Sequence, residues 1–441
     1  MNKISKISLV FMLLVSLVLS QFAVTSSSAH AESDQLGLGA EAAMLLDAKT
    51  GKILYEKNAD KVLGVASMSK MMTEYLVLEA IKEKKISWDD KVKINEYVHN
   101  LSKGAGLSNI GLTQGEDYTV RELYEAMAIF SGNAATVALA EKVSGSEKNF
   151  VTLMNKKAKE LGMKDYTFVN SSGLNNSNLL GQIPAGSSTD ENTMSARDIA
   201  ILAFHLLNDF PEVLETSSQP KLKFKDGKEY PNFNWMLPGL IFAYEGVDGL
   251  KTGSTDFAGY CFTATAEKNG QRFISVVMKS RSKEERFTDT RKILDYAFSN
   301  FSKEQVLKKK YSPKKDGTLA VVKGKEDTVK LTTNKPVELV IQKGTAKDYK
   351  PVVVIDKKKL NKDGELTAPI KKGDKIGYVT VKAQGDQYGF LTPEGEKLVK
   401  VDLVASEDVE KANWFVLSMR AVGGFFGDVW DSISSTVKGW F

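Results

Sequence analysis

The chain changes character near residue 302, and that break means one hydrophobic core cannot serve all 441 residues. Ahead of it, helical patterns alternate with hairpin signals. Behind it, residues 303–405 hold 23 Lys, no Arg and no Trp, with short Val/Ile/Leu runs broken by Gly, Asn, Asp and Pro. With 42% hydrophobic residues, this length supports two domains, each with its own core. Charge divides at the same place, −4 over 32–302 against +9 over 303–405. A mildly acidic first domain weighs against a nucleic-acid partner. The lysines behind it read as solubility and edge-strand protection on a small β domain. One cysteine excludes an intramolecular disulfide framework and any multi-Cys metal site.

The first 31 residues read as an export signal. Lys3 and Lys6 precede a mostly apolar run, Ile7 to Leu19, which leads to the small-x-small site Ala29-His30-Ala31. That run is short for a bilayer span. Cleavage leaves Glu32 as the first residue of a protein that works outside the cytoplasm. Two of its histidines survive, His99 and His205, with one thiol, Cys261.

In residues 32–302, Ala42–Leu46 and Lys52–Tyr55 read as strands joined by a turn-rich connection. Helices are predicted from Met68 to Lys82, from the capping box Thr119-x-x-Glu122 to Phe130, over Ala134–Val143, Ser146–Leu161, Ser195–Leu207 and Glu284–Asn300. Gly259–Glu267 and Gln271–Lys279 flank Asn269-Gly270, a strong hairpin signal. Helices mixed with antiparallel hairpins predict an α+β fold.

Three short motifs carry chemistry. In Ser67-Met68-Ser69-Lys70, serine and lysine fall three residues apart on one helical face. Serine needs a base to become a nucleophile, and a buried lysine can be neutral enough to serve. Ser131-Gly132-Asn133 sits at a break between helices, where a loop can offer a hydroxyl and a carboxamide to a cleft. In Lys251-Thr252-Gly253, followed by Ser254, glycine permits close approach by a ligand while lysine and threonine can hold a carboxylate. Taken singly, each has a bland reading: a capping serine with a surface lysine, a helix-ending turn, a strand edge with a bulge. The histidines offer no rival base. His205 lies in an apolar helical pattern, His99 in a polar connecting segment facing solvent, and no Gly-x-Ser-x-Gly elbow occurs. Cys261, between Tyr260 and Phe262, reads as a buried structural thiol.

In order and spacing the three motifs match the serine penicillin-recognising enzymes. Ala66–Thr73, Phe168-Val169-Asn170 with Gly173-Leu174, Asp248–Gly253 and Ala258-Gly259-Tyr260 resemble D-alanyl-D-alanine carboxypeptidases of the low-molecular-mass penicillin-binding proteins, of the penicillin-binding protein 5 type (peptidase family S11). Val65, Ser69 and Ala134 depart from the commoner family residues. The resemblance implies a β-lactamase-like catalytic domain at 32–302, a small all-β domain at 303–405 and a terminal amphipathic helix at 406–441. It implies that Ser67 forms an acyl-enzyme with peptidoglycan stem peptides ending in D-Ala-D-Ala, and with penicillins, and that no metal or other cofactor is needed. Lys70 is then the general base, Ser131 relays a proton to the leaving amine and Asn133 contacts the substrate amide. Lys251 and Thr252 hold the terminal carboxylate beside Gly253, and the N–H groups of Ser67 and Ser254 form the oxyanion hole. A class A β-lactamase shares the motifs but adds a Glu-x-x-Leu-Asn loop, absent here between the second and third. A non-catalytic scaffold is expected to lose Ser67 or Lys70.

From residue 411 onward, Phe415, Met419, Val422, Phe426, Val429, Ile433, Val437 and Trp440 recur at three- and four-residue steps. Charges interrupt the run, so the stripe is expected to lie on the outer face of the cell membrane rather than cross it.

Overall fold

The all-apolar stretch Ala42 to Leu46 belongs to a strand buried on both sides, which demands a central place in a sheet covered on two faces. The computed structural model, which describes residues 34–383 and 388–419, places it there. Both the export signal and all but the start of the C-terminal stripe lie outside the described residues. Residues 34–37 form a turn of their own, the Gly37 N–H donating to the Asp34 carbonyl.

From Leu38 onward, β1 (Ala42–Asp47), β2 (Ile53–Lys57), β3 (Val247–Thr255), β4 (Gly259–Lys268) and β5 (Gln271–Ser280) form an antiparallel sheet in the order β3-β4-β5-β1-β2. The β4–β5 turn places Asn269 and Gly270 at φ 53° and 73°, the left-handed pair such hairpins need. The helices are α1 (Lys70–Lys82), α2 (Glu96–Ser102), α3 (Val120–Ala128), α4 (Asn133–Ser144), α5 (Glu147–Glu160), α6 (Ala196–Asp209), α7 (Val213–Ser217) and α8 (Glu285–Asn300). Strand alternation sends Met44, Leu46, Ile274, Val276 and Met278 into one cluster with α1, α3, α4 and α6. On the opposite face α8 brings Phe287 to Phe262 and Phe298 to Phe273.

Two expectations are corrected at helix ends. The helix expected from Met68 starts at Lys70, behind a 3-10 turn at Ala66–Ser69 whose Ala66 has φ 46°. The helix entered through the Thr119–Glu122 capping box stops at Ala128, short of Phe130.

Strand Phe301–Leu307 follows α8 without a linker and pairs with Val337–Gln342. A six-stranded sheet completes the second core around Val329, Leu331, Val379 and Leu403. This β domain grips the β1–β2 turn of the first: Leu391 N–H donates to the Gly51 carbonyl at 2.8 Å and Ile53 N–H to that of Gly389 at 3.1 Å.

Candidate active site

Ser67 occupies the 3-10 turn, half-buried between fully buried Ala66 and Met68. Two glycines let that turn sit where it does. At Gly173, with φ 78°, a Cβ would fall 1.9 Å from the Ala66 carbonyl oxygen. At Gly253 it would fall 2.5 Å from the Val65 carbonyl and 3.2 Å from the Ser67 nitrogen. The close approach Gly253 permits is therefore of the chain to itself, strand β3 against the serine turn, where a ligand had been expected. Ser69 Oγ is committed to the Ala66 carbonyl at 2.7 Å.

Lys70 is fully buried, its Nζ 3.0 Å from Ser67 Oγ, 2.8 Å from Asn133 Oδ1 and 2.6 Å from the Ser172 carbonyl. Burial holds its pKa well below the usual lysine value, and the nearby Lys251 charge pushes the same way. A neutral amine has two N–H groups and one lone pair. The two carbonyl oxygens can only accept, so they take the N–H groups, and the lone pair is left for the Ser67 hydroxyl proton. Ser172 had not been singled out in the sequence. Its carbonyl is held by a web of asparagines: Asn170 Oδ1 accepts from the N–H of Ser172 and Gly173, and Asn192 Oδ1 from those of Val169 and Asn170.

Ser131 and Gly132 join α3 to α4. Ser131 has φ 58°, is buried, and its Oγ makes no hydrogen bond within the described residues. Asn133 opens α4, and its carboxamide is engaged at both ends, Oδ1 by Lys70 and Nδ2 donating to the Ser108 carbonyl at 3.0 Å. Expected to meet the substrate amide, it first orients the lysine.

Strand β3 is the sheet edge, with a register shift between Val247 and Gly249, so the bland reading of a bulged edge and the functional one describe the same strand. Such an edge leaves backbone N–H and C=O groups without a strand partner. Lys251 and Thr252 are buried beside Ser254, and among the described residues Lys251 Nζ has one hydrogen-bond partner, the Thr252 carbonyl at 3.4 Å. Arg286 of α8, which sequence reasoning passed over, is buried behind the strand with Nη1 3.3 Å from the Gly253 carbonyl. Burial pulls its pKa down to about 10. Past Thr255 the edge opens into a cavity of about 970 Å³, lined by Lys57, Tyr260, Lys279, Arg281 and Lys283 among others.

The remaining candidates are structural. Cys261 is buried, burial pushes its thiol up to about 11, and Sγ points at the Ala258 carbonyl. His205 is a packed helix residue against Phe204. His99 corrects its expectation: it lies on α2, half-buried, with Nδ1 2.6 Å from the Leu112 carbonyl, because Val98 and Leu101 turn that helix onto the core. Among the described residues no group of three His, Cys, Asp or Glu could hold a metal.

A family model described as D-alanyl-D-alanine carboxypeptidase (peptidase S11) matches residues 27–282, and one described as the penicillin-binding protein 5 C-terminal domain matches 301–411. The chain is 36% identical to the D-alanyl-D-alanine carboxypeptidase DacF of Bacillus subtilis, over 93% of this chain and 97% of that one. Among solved structures it resembles PBP3 of Streptococcus pneumoniae, a peptidoglycan synthesis regulatory factor, at TM-score 0.70 and 35% identity, over 85% of this chain and 100% of that one. It also resembles ampicillin-bound penicillin-binding protein D2 of Listeria monocytogenes, at TM-score 0.52 and 38% identity, over 60% and 99%.

Proposed function

The chain belongs to the D-alanyl-D-alanine carboxypeptidase family, peptidase S11, and from that premise we propose the part each side chain plays. The enzyme is a serine carboxypeptidase that removes the terminal D-alanine from peptidoglycan stem peptides, and it binds penicillins. Ser67 Oγ attacks the carbonyl between the two D-alanines while Lys70 Nζ takes its proton. The N–H groups of Ser67 and Ser254 stabilise the oxyanion. Ser131, whose hydroxyl is uncommitted, passes a proton to the leaving amine. D-alanine departs, and water cleaves the Ser67 ester. A penicillin follows the same path as far as the ester, since its amine stays attached to the acyl group.

The observation that carries this reading is the Lys70 amine, buried and held by two carbonyls with its lone pair left for Ser67. It is tested by incubation with a synthetic peptide ending in D-Ala-D-Ala. Release of one D-alanine per peptide is expected; an intact peptide overturns it.

Lys251 holds the substrate carboxylate through a charge-assisted contact worth about 1.5–3 kcal/mol. Lys251→Ala is therefore expected to lower kcat/KM on the free acid roughly 10- to 100-fold, with far less effect on the C-terminal amide. Equal losses on both would make Lys251 structural.

The protein works at the outer face of the cell membrane, anchored by the helix that begins at residue 414. Supporting this are the Lys3, Lys6 and Ile7–Leu19 pattern and the first residues of that helix. That helix is capped by Asn413, whose Oδ1 accepts the Val416 N–H, and Trp414, Phe415 and Met419 are exposed, Trp414 at 77%. Truncation must not cut earlier than this, because Val409 is fully buried and Ala412 N–H donates to the Lys323 carbonyl. A chain ending at Asn413 is expected to keep penicillin acylation and to lose sedimentation with lipid vesicles, which in the full chain survives high salt. Continued vesicle binding moves the anchor elsewhere.

A further inference from the structure

The edge strand gives the substrate a direction. With the terminal carboxylate at Lys251 and Thr252 and the scissile carbonyl at the N–H groups of Ser67 and Ser254, the leaving D-alanine lies on the Lys251 side. The acyl part of the peptide then runs past Ser254 toward Thr255, antiparallel to β3. A peptide laid on a sheet edge advances about 3.4 Å per residue. The residues just upstream of the two D-alanines therefore reach the cavity that opens past Thr255, whose wall includes Ser254 and Thr255 themselves.

That cavity has a sign. Lys57, Lys279, Arg281 and Lys283 line it, against the carboxylates of Glu41 and Asp256. Glu41 is shared by two ammonium groups, Lys61 at 2.6 Å and Lys279 at 3.4 Å, and Arg281 pairs with Glu285. Adding Lys61 and Glu285 from outside the wall leaves the same excess, five cations against three carboxylates. Lys57 Nζ donates to the Leu38 carbonyl at 2.8 Å. Lys283 is exposed, with Nζ 5.8 Å from the centre of the Trp235 ring, and makes no ion pair among the described residues. This excess runs against the charge of its own domain, since residues 32–302 carry −4 overall. None of the proposed catalytic steps uses it.

We propose that this cleft is a subsite for a carboxylate on the two residues upstream of D-Ala-D-Ala, so that the enzyme selects acidic stem peptides over those in which the same groups are amidated. The proposal rests on the roles given above to Ser67 and Lys251, which set the direction of the chain. Exposed ion pairs are individually weak and screened by salt, so the selection is the sum of several and belongs to low ionic strength.

The test compares two synthetic peptides, N-acetyl-Glu-Glu-D-Ala-D-Ala and N-acetyl-Gln-Gln-D-Ala-D-Ala, which differ only in those carboxylates. At low salt the full chain is expected to release D-alanine from the acidic peptide with kcat/KM about 3- to 10-fold higher, mainly through KM. In about 0.5 M salt the ratio is expected to fall toward one. Lys279→Gln combined with Lys283→Gln removes two exposed cations and is expected to bring the low-salt ratio near one. Lys279→Glu combined with Lys283→Glu is expected to invert it. The ratio is read within one preparation, so a loss of folded protein lowers both rates and leaves the ratio unmoved. Equal rates on the two peptides in the wild type, or a preference that both double variants keep, would overturn the proposal. Release of no D-alanine from either peptide would instead remove the assignment beneath it, so the two failures are distinct.

Discussion

Replacing Ser67 by alanine abolishes both penicillin labelling and D-alanine release, a loss of about 10⁴-fold or more. The size follows from the lack of a substitute. Ser69 Oγ is tied to the Ala66 carbonyl, Ser172 Oγ to Asn170, and the Cys261 thiol is buried and held protonated. Ser67 is half-buried, and its side-chain bond runs to Lys70, so the variant is expected to keep its fold within about 1 kcal/mol. An unchanged melting curve with no covalent adduct is the expected pair of results. Labelling that survives in Ser67→Ala would assign the nucleophile to another residue.

Lys70→Ala is expected to lose acylation by several orders of magnitude although the nucleophile remains, because serine at its own pKa is nearly inert. It differs from the first variant in stability. Truncation leaves the Asn133 Oδ1 and Ser172 carbonyls without their donor, each costing about 1–3 kcal/mol, and opens a cavity besides. Lys70→Arg separates the two effects, since a guanidinium keeps the donors but cannot give up its proton to become a base. It too is expected to be inactive. A normal rate of acylation in either variant would place the general base elsewhere.

How much of this was legible in the sequence depends on whether a feature is local. The Thr119–Glu122 capping box, the Asn269-Gly270 hairpin and the three motifs are each written within a few residues; the structure forms the cap and the hairpin and brings Ser67, Lys70 and Asn133 together. What the chain does not spell out locally is what closes the site from a distance. The Ser172 carbonyl is a backbone group, invisible to any motif of side chains, and reaches Lys70 across 102 positions. Gly253 looked like an opening for a ligand because its own neighbour, the Ser67 turn, is far away in the chain. Arg286 sits inside an ordinary helical pattern, where a charged residue normally means a solvent face. Only the packing of α8 against the sheet buries it. His99 was misplaced for the converse reason: a short helix in a polar segment has too few turns to show its period.

The most direct test of the central claim is the intact mass of the full chain after incubation with penicillin, followed by peptide mapping. The account predicts one penicilloyl adduct per chain, carried by the peptide that contains Ser67. An unmodified mass, or an adduct mapped to any other residue, would contradict it.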